Sequence, residues 1–93
     1  MALTFVIPGP LRELAGGRDE VNVEGGASSV RDALALLWER CPALRDRVMT
    51  ETAEVRPHVN VFVDGESIRY LGGLSADVPE GAEIVILPAI SGG

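Results

Sequence analysis

The sequence predicts an α+β roll: a mixed sheet of four to five strands with one main helix laid across one face. Three observations carry this. Runs such as "ALTFVIP" and "VNVFV" place apolar residues at every second position, the period of a half-buried strand. Val30, Ala33, Leu34, Leu37, Trp38 and Cys41 instead fall at the spacing of a single helical stripe. The order is hairpin, helix, hairpin and final strand, and one helix can cover only one face of such a sheet.

The first strand sets Leu3, Phe5 and Ile7 against Thr4 and Val6. "PGPLRELAGG" then reads as a turn with a short helical piece, closed by Gly16 and Gly17. "DEVNVEGG" returns as a second strand, with Val21 and Val23 on one face, and completes a hairpin with the first. Ser29 is suited to cap the helix that follows, and Asp32 sits near the positive end of its dipole. Arg31, Glu39 and Arg40 take the polar side, and Pro42 ends the helix because it lacks an N–H. Leu44 and Val48, four apart in "PALRDRVM", allow one further short turn. Residues 50–57, "TETAEVRP", read as a loop.

"HVNVFVDGESIRYL" is the clearest hairpin, two alternating runs about Asp64-Gly65, a pair suited to a two-residue turn with positive φ. Gly72 and Gly73 mark a bend, and "LSADVPEGA" connects to the last strand, "EIVILPAI". Its two apolar faces, Ile84 and Ile86 against Val85 and Leu87, fit a central position beside the first strand and parallel to it. That is the β-grasp (ubiquitin-like) arrangement. The expected organisation is one domain over residues 1–88 and a flexible C-terminal tail over 89–93, "AISGG".

Ninety-three residues, 46% hydrophobic and 24% charged, describe one globular domain. No apolar run approaches the roughly 20 residues of a membrane helix, and the N-terminus lacks the pattern of a signal peptide. A cytoplasmic protein without a membrane partner is expected. The net charge of −6 argues against nucleic acid as direct partner, since such partners require a positive field. The single cysteine cannot form an internal disulfide. All eight basic residues other than His58 are arginine.

Strand parity divides the sheet. With Leu3, Phe5, Ile7, Val59, Val61, Val63, Ile68, Ile84 and Ile86 toward the helix, Val6, Phe62, Val85 and Leu87 fall on the opposite face. No second layer of chain remains to cover those four, so that face is expected to dock a partner.

Other candidates are weaker. Cys41 lies on the helical apolar stripe with no activating group beside it in sequence, which reads as core packing. His58 has no second ligand at metal spacing. "VEGGASSVRD" lacks both the glycine pattern and the lysine of a phosphate loop. No acid–base pair is spaced for catalysis, so a non-enzyme is expected.

"LRELAGG" at 11–17, "VNVFVDGESIRYLGGL" at 59–74 and "PEGAEIVILPAISGG" at 79–93, with the element order, resemble the ubiquitin-like sulfur carrier family of the MoaD/ThiS type. Within it, "RYLGGL" and "LPAISGG" look most like carriers of the thiocarboxylate-dependent cysteine route. The resemblance implies that no cofactor is bound and that an E1-like adenylating and sulfurylating enzyme spends ATP on the Gly93 carboxylate. Sulfide or persulfide sulfur then displaces AMP, leaving a thiocarboxylate that a sulfur-accepting enzyme consumes. Gly92 and Gly93 leave that carbonyl unhindered. Phe62, Val85, Leu87 and Val6, with Ile90 and Ser91 of the tail, are implied as partner contacts. Extended, residues 89–93 would reach roughly 16 Å at about 3.3 Å per residue. The small subunit of molybdopterin synthase, a ubiquitin-like protein modifier and a structural adaptor stay open as alternatives. The absence of lysine would spare an activated C-terminus capture by an amine of its own chain, or reflects codon bias.

Overall fold

The computed structural model describes residues 2–88. It runs β1 (Ala2–Val6), a 3-10 helix (Gly9–Ala15), β2 (Glu20–Glu24), α1 (Val30–Arg40), α2 (Pro42–Val48), β3 (Val59–Val63), β4 (Glu66–Ser67), 3-10 turns at Ile68–Tyr70 and Gly73–Ser75, and β5 (Glu83–Pro88). The strands form one sheet in the order β2-β1-β5-β3-β4. β1 and β5 pair parallel at its centre, through Thr4↔Glu83, Phe5↔Ile84 and Val6↔Val85. The other three pairings are antiparallel.

The expected alternation decides which face is buried. Leu3, Phe5, Ile7, Val59, Val61, Val63, Ile68, Ile84 and Ile86 are all buried, against Val30, Ala33, Leu34 and Leu37 of α1 and Leu44 and Val48 of α2. Burying each large side chain contributes about 1.5–3 kcal/mol, so this contiguous layer dominates the stability. Among the described residues the core contains no buried polar or charged side chain.

Helix α1 starts where Ser29 accepts the Asp32 N–H at 3.2 Å. The Val30 N–H donates to the Ala76 carbonyl at 3.0 Å, which ties the helix start to the loop before β5. Two local expectations need correction. Pro42 does end α1, but it also opens α2, a seven-residue helix rather than a single turn, because proline suits the first helical position. A second, shorter helix therefore joins the one main helix expected over the sheet.

The second hairpin is also shorter than its alternation. Asp64 and Gly65, with φ of 48° and 90°, make the turn, but β4 pairs only Glu66 and Ser67 before the chain winds into a 3-10 turn. The Ser67 hydroxyl accepts the Arg69 N–H at 3.3 Å, and Arg69 Nη2 donates to the Pro57 carbonyl at 2.9 Å. These bonds replace the ladder that a longer strand would have made. Ile68 reaches the core either way, so its burial does not distinguish the two conformations.

Candidate docking face and tail root

The uncovered face is built by register. Phe62 pairs with Val85 across β3 and β5, and Val85 pairs with Val6 across β5 and β1, so the three form one row over the middle of the sheet. All three are half-buried; Leu87, paired with Asn60 two residues nearer the end of β5, is 38% exposed. The row is flanked on β1 and β2 by Thr4 and Asn22, whose side chains hydrogen-bond at 3.0 Å. The result is an apolar strip with polar margins.

Gly92, Gly93, Ile90 and Ser91 lie outside the described residues, as does the rest of the 89–93 tail. Its root is described. Pro88 is the register partner of Val59, the first residue of β3. β5 is central, and its final residues, Leu87 and Pro88, adjoin the apolar row.

Sequence parity did not foresee Tyr70, 88% exposed, or Leu71 beside it. Both sit on the turn that replaced the expected strand, where alternation no longer reports burial.

The alternative sites do not assemble. Cys41 is buried, at the junction between α1 and α2. The structure adds what spacing did not show: Arg18 and Arg40 line a groove that also touches Cys41. His58 is exposed and shares a groove with Asp46, Arg47 and Arg56; among the described residues no three His, Cys, Asp or Glu side chains are grouped to hold a metal. The start of α1 is no phosphate cradle, since Ser29 and the Asp32 carboxylate already occupy it. A groove of about 390 Å3 beside β3 has Arg31, Glu54, Arg69 and Ser75 as its polar lining, without a histidine or thiol. Among the described residues no helix is long and apolar enough to cross a membrane.

Comparison with known proteins places the chain. The ThiS family profile matches residues 5–93. The "Sulfur carrier protein CysO" of Mycobacterium tuberculosis is 30% identical over 95 residues, covering 100% of both chains. "Small archaeal modifier protein 1" of Haloferax volcanii is 38% identical over 84 residues, 89% of this chain and 91% of that one. Among solved structures, the "Amycolatopsis orientalis BexX/CysO complex" superimposes with a TM-score of 0.87 at 33% identity, covering 98% of this chain and 99% of that one.

Proposed function

Since the chain belongs to the ThiS family, whose matching relatives are carrier and modifier proteins rather than catalysts, we propose that it is a sulfur carrier working through the terminal carboxylate of Gly93. The carboxylate attacks the α-phosphate of ATP in an E1-like partner and pyrophosphate leaves. Sulfide sulfur then attacks the acyl adenylate and AMP leaves, giving a thiocarboxylate. A sulfur-accepting enzyme takes the sulfur, and water restores the carboxylate. The carrier contributes no acid or base; it presents one acyl group on a handle. Recipient chemistry in cysteine formation is favoured by the full-length similarity to CysO.

The observation that carries this reading is the row Val6, Val85 and Phe62 with Leu87, which ends at the root of the segment bearing the two terminal glycines. A partner closing on that strip receives the tail in the same approach. The test is intact-mass analysis of protein recovered from its own cells. The expected species is heavier by the exchange of one oxygen for sulfur, and reverts to the carboxylate on incubation with the recipient.

A second reading, attachment to other proteins, is favoured by the 38% identity to a small archaeal modifier. It predicts covalent conjugates that persist on a denaturing gel. The molybdopterin alternative gains less, because the relevant neighbour, from Pyrococcus furiosus, is 21% identical and speaks to the fold alone.

A further inference from the structure

The chain carries −6 overall, yet the topology brings several of its arginines together. Parallel β1 and β5 define two ends of the sheet. At the end where β5 starts stand Glu24, Asp64, Glu66 and Glu83, placed by their pairing with Ala2, by the β3–β4 turn and by the Glu83 N–H on Asp64 Oδ1 at 3.0 Å. At the opposite end, where β5 finishes at Pro88, Arg47, Arg56, His58 and Arg69 gather on the β3 side, while Asp19 and Glu20 stand on the β2 side beside Ile7 and Val6. Arg56, Pro57 and His58 lead directly into Val59, the partner of Pro88. Arg47 lines one groove with Asp46, Arg56 and His58, and the guanidinium of Arg69 reaches the Pro57 carbonyl.

Two of these arginines are held by backbone carbonyls. Arg56 donates through Nε and Nη2 to the Asp46 carbonyl at 3.0 and 2.8 Å, and Arg69 likewise bonds a carbonyl. Among the described residues the one ion pair is Arg45–Asp46 at 3.7 Å, between exposed sequence neighbours, so Asp46 tempers the groove without pairing with Arg47 or Arg56. Glu54 is the other acidic neighbour, across the groove that Arg69 lines. A guanidinium fixed on a backbone carbonyl keeps its full charge and its remaining N–H groups pointing to a second acceptor, for which a carboxylate is the matched geometry.

We infer that this arginine collar docks on an acidic rim around the channel through which a partner receives the tail; the inference rests on the carrier reading above. The occupant is a protein surface bearing Asp and Glu. The collar attracts such a surface to the side of β5 where Val59 pairs with Pro88.

The test uses the full chain, the adenylating enzyme of its own organism, and ATP–pyrophosphate exchange at limiting carrier. From about 50 to about 500 mM salt, kcat/KM of the wild type is expected to fall on the order of tenfold while kcat holds, as screening shortens the reach of the field. Arg47→Glu combined with Arg69→Glu is expected to start about tenfold lower and lose most of the salt dependence. Arg47→Glu alone, which breaks no hydrogen bond to the backbone, is expected to move in the same direction, and Arg47→Lys to keep the wild-type value. Glu66→Arg at the far end is expected to stay within about twofold. Salt-independent exchange, or charge-reversed variants equal to wild type, overturns the collar alone. Wild-type binding to single-stranded DNA that Arg47→Glu abolishes would assign the collar to nucleic acid and overturn it too. No exchange by the wild type at any salt would take down the carrier reading and the collar's partner together.

Discussion

Phe62 and Val85 are direct partners across the β3–β5 ladder, on the face that neither helix covers. Each is half-buried by its neighbours alone. The remaining apolar surface has no internal use, which makes the pair separable from the fold.

Replacing Phe62 with Ala is therefore expected to weaken partner binding more than it weakens folding. Loss of a contact that buries most of the ring costs about 1.5–3 kcal/mol, or about ten- to a hundredfold in Kd. Calorimetric titration against the adenylating enzyme, beside a urea melt of the variant, measures the two effects separately. An equal loss in both would mean that Phe62 is simply core.

Removing Gly92 and Gly93 is expected to abolish thiocarboxylate formation while shifting stability by less than about 0.5 kcal/mol, the usual scale for changes away from the core. Mass spectrometry after incubation with ATP, sulfide and the activating enzyme reads the first. Thermal melting reads the second. Sulfur loading of the truncated chain would place the acceptor elsewhere.

Cys41 offers that elsewhere, and its burial argues against it. Cys41→Ala is expected to load and deliver sulfur at the wild-type rate, with a stability loss of about 1 kcal/mol for the lost packing. Alkylation of the native thiol is expected only at the rate of unfolding, although Arg18 and Arg40 stand along the groove above it. A variant that folds but carries no sulfur would return the thiol to the mechanism.

Asp64 combines two local demands: a φ of 48° and a carboxylate oxygen that accepts the Glu83 N–H at 3.0 Å. Asp64→Ala loses the bond and strains the turn, an expected cost of about 1–3 kcal/mol. Asp64→Asn, which tolerates the same backbone and keeps an acceptor, is expected to recover most of it. Chemical denaturation of the two variants checks the order.

Much of the fold was legible because burial follows period. Every residue assigned to the inner face by strand parity is buried, and the helical stripe from Val30 to Leu37 is the buried face of α1. The readings that missed share a cause. β4 stopped early and Pro42 opened a second helix because hydrogen bonds and packing from distant residues, such as Arg69 on Pro57, overrode local pattern. The apolar strip was named residue by residue from parity. The arginine collar was not, because Arg47, Arg56 and Arg69 are separated in sequence and meet only through the Val59–Pro88 pairing and the return of the chain after β4.

By itself, the order of residues determined most of the elements, their buried sides and the family, since each depends on periodicity or motif within a short stretch. The tertiary structure alone decided that Arg47, Arg56 and Arg69 gather beside the end of β5. Electrostatic fields add over distance in space, and no one-dimensional spacing records which distant charges a sheet will bring to the same end.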